Sequence, residues 1–140
     1  MIYLDTSALV KLIRDEAESQ DLADWLDERV DIPWITSALT EVELPRAIRA
    51  VAPEGLSAVP GVLDRLDRFE IDTVVRATAA AYPDDKLRSL DAIHLATAQT
   101  ASSAAPLTAL VAYDHRLRQA AADLGIPVAA PGTQASGQTE

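Results

Sequence analysis

The chain has 140 residues, no cysteine and a formal net charge of −10. This length fits one domain with its own core, and the lack of cysteine excludes disulfides and thiolate metal sites. No leader-like segment precedes Asp5. No apolar run approaches the roughly 20 residues that a membrane span needs, so we expect a cytoplasmic protein without a membrane segment.

The negative charge is concentrated near the N-terminus. Residues 1–31 contain nine acidic residues against Lys11, Arg14 and Arg29, so they carry −6 of the total and the rest carries −4. A charge of −10 argues at first sight against a nucleic-acid partner, because phosphate binding normally leaves a basic footprint. Acidic blocks such as residues 15–18 are more typical of a solvated helix face, so a nucleic-acid substrate stays open.

Short apolar segments alternate with helical stretches along the chain. Strands are predicted at Ile2–Leu4, Ile32–Ile35, Phe69–Ile71, Leu107–Ala112 and Ile126–Ala129. Helices are predicted at Ser7–Arg14, Glu18–Val30, Ala38–Val51, Val59–Phe69, Val74–Tyr82, Leu90–Ala101 and His115–Leu124. This alternation predicts an α/β fold with a parallel sheet. The domain is predicted to cover residues 1–130, and residues 131–140 to form a disordered tail, because they hold too little apolar surface to pack.

Asp5 stands where the first predicted strand gives way to a helix. In open parallel sheets, ligands bind just beyond the carboxyl ends of the strands, which indicates metal or phosphate chemistry for an acid at this place. Aspartate, threonine and serine are also the preferred helix N-caps. The sequence alone supports the cap and the ligand about equally.

Two further acids also lie at the start of a predicted helix. Asp91 lies in the first turn of a helix that is apolar nearly all round, so its carboxylate needs a cation, a partner or a proton. Asp114 follows a buried strand and opens a helix, as Asp5 does. If the two strands are neighbours, the three acids converge on one sheet edge, where like charges raise one another's pKa. A divalent cation relieves that repulsion, and oxygen ligands favour Mg²⁺ or Mn²⁺ over zinc.

A fourth acid is harder to select. Glu41 and Glu43 lie on the same predicted helix, and each shares a face with apolar residues. Helical periodicity therefore does not decide between them.

Neither histidine is assigned to catalysis. His94 projects from an apolar helix and is interpreted as a hydrogen-bonded core residue, while His115 is expected to be exposed. Trp25 and Trp34 are interpreted as core residues, with a partner interface as the alternative.

In their order and spacing, these segments resemble the PIN domain, and in particular the VapC-type toxin ribonucleases of bacterial and archaeal toxin–antitoxin pairs. The resemblance runs from Met1 to about Ala129. It rests on Leu4–Ser7, on Ser37 followed by Glu43 and Arg46, on Leu90–Ala98, and on Tyr113–Asp114. It implies a three-layer α/β/α sandwich with a five-stranded parallel sheet, and it selects Glu43 over Glu41.

The resemblance also implies a catalytic site. Its Mg²⁺ or Mn²⁺ ligands would be Asp5, Glu43, Asp91 and Asp114, and the cation would activate water and neutralise the RNA phosphate. Thr6 or Ser7 would orient Asp5 or a water on the metal. The family usually has Thr or Ser where this chain has Ala112, so that hydroxyl is missing or is supplied by Thr6 or Ser7. Candidate contacts to the RNA backbone are Lys11, Arg14, Arg46, Arg88 and Arg116, together with Lys86 and Arg118.

The resemblance further implies two protein partners. One is a cognate antitoxin, whose amphipathic segment we expect to bury part of residues 7–30 and to reach the carboxylates with a basic side chain. The other is a second copy of the chain, in a homodimer.

Two alternatives compete with this interpretation. An aspartate-based phosphohydrolase also begins with a strand ending in Asp, but it needs a second acid two residues later, where this chain has Ser7. A PIN fold used as a binding module without catalysis is the other, and the presence of all four acids speaks against it.

Overall fold

A computed structural model describes residues 1–133 and contains a five-stranded sheet in the order β3-β2-β1-β4-β5. All four pairings are parallel. The strands are β1 Ile2–Leu4, β2 Trp34–Ser37, β3 Leu66–Phe69, β4 Ala109–Val111 and β5 Val128–Ala129. The first strand of the chain therefore lies at the centre of the sheet, between β2 and β4. Such central parallel strands are buried on both faces, which explains the continuous apolar run of β1.

Helices cover both faces of this sheet. Within the described residues they are α1 Thr6–Ile13, α2 Ser19–Asp27, α3 Thr40–Val51, α4 Val59–Asp64, α5 Thr73–Ala81, α6 Ser89–Ser102 and α7 His115–Asp123. Ile2 and Leu4 pack with α1 to α4 in one core cluster, whereas Tyr3 packs with α6 and α7 in the other. Helix α5 packs against α6. The structure thus confirms the predicted three-layer α/β/α sandwich with a five-stranded parallel sheet.

Two predicted strands are displaced. The predicted helix Val59–Phe69 ends at Asp64, and Leu66–Phe69 forms β3 in place of the predicted Phe69–Ile71. The reason is that β3 is an edge strand with only Leu66 buried, so it carries no alternating apolar pattern. Strand β2 lies two residues further along the chain than predicted, and its last two residues were not predicted as strand because Thr36 and Ser37 are polar although buried.

Residues 131–133 of the predicted tail pack against the domain. The Tyr113 hydroxyl donates a hydrogen bond to the Pro131 carbonyl at 2.8 Å, and Gly132 lies against Glu18 and Asp21. The rest of the predicted tail, residues 134–140, lies outside the described residues. No helix in residues 1–133 combines the length and apolar character needed to cross a bilayer.

Candidate active site

Asp5 follows β1 and caps α1 with one of its two carboxylate oxygens. Its Oδ1 accepts hydrogen bonds from Ser7 Oγ at 2.6 Å and from the Ala8 N–H at 3.0 Å. The residue is only 5% exposed. Burial raises the pKa of Asp5, and the negative charge of Glu43 raises it further. The hydrogen bonds from Ser7 and Ala8 lower the pKa but do not outweigh burial. The cap predicted as an alternative is therefore real, and it leaves Oδ2 without a hydrogen bond from residues 1–133.

Asp114 has the equivalent place after β4. Its Oδ1 accepts from the backbone N–H groups of Arg116 at 2.7 Å and Leu117 at 3.3 Å, so it caps α7. The residue is exposed. Among the described residues, no group donates to its Oδ2.

Asp91 lies in the first turn of α6 and is half-buried. Burial, followed by the negative charges of Asp114 and Glu43, raises its pKa. In the part of the chain that the structure describes, its carboxylate receives no hydrogen bond. Asp5 and Asp114 follow the adjacent parallel strands β1 and β4. Glu43 is hydrogen-bonded to Thr6, the residue after Asp5, and the charge of Asp114 acts on Asp91. The four predicted acids therefore lie at one edge of the sheet.

The structure separates the two glutamates of α3. Glu41 is exposed and pairs with Arg68 at 3.2 Å. Glu43 faces the other acids, and its Oε1 accepts from Thr6 Oγ1 at 2.5 Å and lies 2.7 Å from His94 Nε2. Burial alone would raise the pKa of Glu43, but the hydrogen bonds from His94 and Thr6 outweigh it and lower the pKa.

Both hydroxyl residues after Asp5 have defined partners. Thr6 holds Glu43 and not Asp5. Ser7 donates to Asp5, and its Oγ also accepts from the Tyr113 N–H at 3.0 Å. Ser7 therefore joins the ends of β1 and β4 close to Ala112, where the chain lacks a hydroxyl.

The acids suit a hard cation chemically, but they do not form a closed ligand set. Within residues 1–133, no group of three or more His, Cys, Asp or Glu side chains is arranged to hold a metal ion. The donors at this edge are carboxylate oxygens that repel one another, which matches the preference of Mg²⁺ and Mn²⁺. Asp5, Glu43 and Asp114 each have one anchored oxygen and one free of hydrogen bonds from the described residues. Binding a cation would require the carboxylates to turn towards a common point.

The candidate RNA contacts differ in availability. Lys11 is bound by Glu16 at 2.9 Å and Glu18 at 2.8 Å, and its ammonium lies 4.6 Å from the centre of the Tyr113 ring. Arg14 is exposed and pairs with Glu16 at 3.3 Å. Among these candidates, the exposed side chains without an ion pair to another described residue are those of Arg46, Lys86, Arg88 and Arg116, whereas Arg118 is half-buried.

His94 and Tyr3 are the residues that the sequence analysis did not place in the site. His94 is buried and hydrogen-bonded, as predicted, but one of its partners is Glu43. Its other partner is the fully buried Tyr3, whose hydroxyl lies 2.7 Å from Nδ1. The available signal was spacing, because residues three apart share a helix face and His94 stands three residues after Asp91.

Comparison with known proteins identifies the family. The model of the PIN domain matches residues 2–123. Ribonuclease VapC35 of Mycobacterium tuberculosis is 75% identical over 132 residues, which cover 94% of this chain and 98% of that protein. Two other proteins of that species are Ribonuclease VapC47, 41% identical over 94% of this chain and 98% of its own length, and Ribonuclease VapC46, 42% identical over 93% and 97%. The chain thus belongs to the PIN-domain family and, within it, to the VapC ribonucleases.

Proposed function

We propose that this protein is a metal-dependent endoribonuclease that acts as the toxin of a toxin–antitoxin pair. The observation that carries the proposal is the shared state of Asp5, Glu43 and Asp114: each has one oxygen anchored and the other without a hydrogen bond from residues 1–133. The name of the relative that is 75% identical supports RNA as the substrate.

The residues that would hold Mg²⁺ or Mn²⁺ are Asp5, Glu43, Asp91 and Asp114. A cation at this place supplies charge neutralisation at the scissile phosphate and activation of the attacking water. The chain itself contributes the placement of the carboxylates. Ser7 fixes the Asp5 carboxylate, and Thr6 fixes that of Glu43. These contacts limit the rotation of ligands that would otherwise repel one another.

Exposed arginines beside the acids support an RNA substrate despite the net charge of −10. Arg46 follows Glu43 by three residues on α3, Arg88 precedes Asp91 by three, and Arg116 follows Asp114 by two. All three arginines are exposed. Phosphates on either side of the scissile bond would thus meet guanidinium groups, which bind phosphate oxygens in pairs.

The antitoxin is proposed to bind the groove between α1 and α2. A cavity of about 250 Å³ lies there, and its lining combines the apolar Leu12, Ile13 and Ala23 with the polar Lys11, Arg14, Asp15, Ser19 and Gln20. Trp25 is half-buried on α2, whereas Leu9 and Leu22 are fully buried core residues and offer no surface. An amphipathic antitoxin segment fits such a groove, with apolar side chains against Leu12 and Ile13 and polar ones against the rest of the lining. A homodimer and a cytoplasmic location belong to the same proposal.

The decisive experiment compares two neighbouring glutamates. Purified wild-type protein, Asp5→Asn, Glu43→Gln and Glu41→Gln are incubated with an RNA pool in EDTA, Mg²⁺, Mn²⁺ or Zn²⁺. We expect Mg²⁺ or Mn²⁺ to restore cleavage that EDTA removes. Asp5→Asn and Glu43→Gln should lose at least about a hundred-fold in rate, the scale of removing one charge-stabilising group from a catalytic site.

Glu41→Gln is the matched control, because it makes the same chemical change on an exposed face of the same helix. It should cleave like the wild type. Wild-type cleavage by Asp5→Asn would overturn the proposed site. RNA binding without cleavage by the wild type in either metal would instead favour a binding module.

A further inference from the structure

A chain of hydrogen bonds leads from the interior of the sheet to Glu43. The hydroxyl of Tyr3, in the middle of β1, lies 2.7 Å from His94 Nδ1. His94 Nε2 lies 2.7 Å from Glu43 Oε1 on α3. Tyr3 is 0% exposed and His94 is 3% exposed, so solvent does not compete for these bonds. We call these two residues the Tyr3–His94 pair.

The chemistry of the three groups fixes the direction of the bonds. A carboxylate only accepts hydrogen bonds, so Nε2 of His94 must carry the hydrogen that faces Glu43. The other ring nitrogen, Nδ1, is then an acceptor, and the phenol hydroxyl of Tyr3 is the donor that faces it at 2.7 Å. The hydroxyl of Tyr3 therefore selects the imidazole tautomer that donates to Glu43.

The pair also connects the two faces of the sheet. His94 lies on α6, which packs on one face, and Glu43 lies on α3, which packs on the other. Tyr3 and His94 meet edge to face, with ring centroids 5.8 Å apart and an interplanar angle of 82°. Two rings packed in this way have little freedom to turn, so the Nε2–H group is a rigid anchor.

We infer that the Tyr3–His94 pair is a positioning device for Glu43: it holds Oε1 and thereby turns Oε2 towards the candidate metal site. The inference rests on the proposed function, because it assigns Glu43 a ligand role. Neither ring is placed on substrate or metal. Partners of this kind, which orient a ligand through its other atom, change metal affinity by about 10- to 100-fold when removed.

The test measures Mn²⁺ binding to metal-free protein by calorimetry, together with thermal unfolding in EDTA. Tyr3→Phe removes the hydroxyl and keeps the ring, so it should weaken Mn²⁺ binding about ten-fold. His94→Leu removes the donor and should weaken it more. His94→Gln places an N–H donor near the position of Nε2 and should recover much of the loss. Glu43→Gln sets the scale for loss of the ligand itself.

Tyr82→Phe is the matched control for Tyr3→Phe. Its hydroxyl donates to Gln99 of α6 at 2.6 Å, five residues beyond His94, and none of the hydrogen bonds among the described residues joins it to the four acids. The control should lose stability on a similar scale and keep wild-type Mn²⁺ affinity. A purely structural role for the pair predicts that Tyr3→Phe behaves in the same way.

The outcomes separate the inference from the proposed function. Weaker Mn²⁺ binding by Tyr3→Phe, with recovery in His94→Gln relative to His94→Leu, supports positioning. Wild-type affinity in Tyr3→Phe and His94→Leu, with weak binding by Glu43→Gln, overturns the positioning role and leaves the metal site standing. Should His94→Leu fail to fold, Tyr3→Phe against Tyr82→Phe decides. Absence of Mn²⁺ binding by the wild type overturns the proposed metal site and the inference with it.

Discussion

Ser7 Oγ lies 2.6 Å from Asp5 Oδ1 and accepts the Tyr113 N–H at 3.0 Å. One hydroxyl thus anchors the acid that follows β1 and the backbone that follows β4. Ala112 offers no hydroxyl at the position where the family usually has one. Ser7 supplies a hydroxyl close to that position, because its Oγ accepts the N–H of the next residue, Tyr113. The alignment of Asp5 with Asp114 therefore depends on Ser7.

We expect Ser7→Ala to lower Mn²⁺ affinity and RNA cleavage about ten-fold, because Asp5 loses a partner that orients it. The half-buried Tyr113 N–H also loses its acceptor, which costs about 1 to 3 kcal/mol of unfolding free energy. Calorimetry and urea unfolding measure the two effects. Ser103→Ala is the control, since Ser103 is exposed and donates only to the Thr100 carbonyl of its own helix end. Equal behaviour of the two variants would show that Ser7 is only a local cap.

Asp5 gives the metal-free protein an unusual dependence on pH. Its pKa in the native state is raised above the ordinary 3.8. Between pH 3.8 and that raised pKa, the native state binds more protons than the unfolded state. The contribution of Asp5 to stability therefore increases as the pH falls through this window. In EDTA, urea unfolding of the wild type minus that of Asp5→Asn should show this gain between pH 7.5 and pH 4.

Burial of the Asp5 charge and its repulsion by Glu43 predict that Asp5→Asn is more stable than the wild type at pH 7.5 without metal, by about 1 kcal/mol, the scale of a single stabilising substitution. Asp64→Asn, at an exposed position, should change neither the pH dependence of unfolding nor the stability at pH 7.5. A less stable Asp5→Asn would mean that the cap of α1 outweighs burial of the charge.

Lys11 and Arg116 should differ in their effect on RNA binding. Lys11 is engaged by Glu16, Glu18 and the Tyr113 ring and its side chain is only 12% exposed, whereas Arg116 is exposed. In an Asp5→Asn background, Arg116→Ala should reduce the salt dependence of RNA affinity by about one unit of slope, as expected for one lost phosphate contact. Lys11→Met should leave the slope unchanged and lower stability. A reduced slope for Lys11→Met would mean that RNA displaces its acidic partners.

Trp25 lies on α2 outside the cavity lining, so it tests whether the antitoxin interface extends along that helix. It is half-buried, and the Arg29 guanidinium lies 4.0 Å from the centre of its ring. Trp25→Ala should weaken co-purification with the product of the adjacent upstream gene, because aromatic anchors dominate helix-in-groove binding. Val74→Ala, an exposed apolar residue on α5, is the control. Undiminished co-purification of a folded Trp25→Ala protein would place the interface elsewhere.

The sequence predicts the fold where burial and pattern agree. Strand β1 is fully buried and helix α6 is buried along much of its length, and both were located to within one residue. Strand β3 was missed because an edge strand with one buried residue has no periodic signal. The second half of β2 was missed because Thr36 is buried through a hydrogen bond from its hydroxyl to the Leu4 carbonyl at 2.7 Å, which composition does not reveal.

The candidate site also has some residues that the sequence predicts and others that it does not. Asp5 and Asp114 were predicted from their positions after strands, which follow from chain order alone. The choice of Glu43 over Glu41 came from family resemblance, since both have the same helical periodicity, and the contacts of Glu43 with Thr6 and His94 are tertiary. The role of Tyr3 depends on a partner 91 residues away in the chain. No local pattern carries that information.

The central position of β1 in the sheet determines when the cluster of acids can be assembled during translation. The first strand made is β1, and its neighbour β2 ends at Ser37, but its second neighbour, β4, starts only at Ala109. The Tyr113–Ser7 hydrogen bond joins residues 106 positions apart. At about 5 to 20 residues per second, the ribosome needs several seconds to supply Asp114 after Asp5. A nascent chain therefore completes its cluster of acids only when nearly the whole domain has been made, and shorter products lack it.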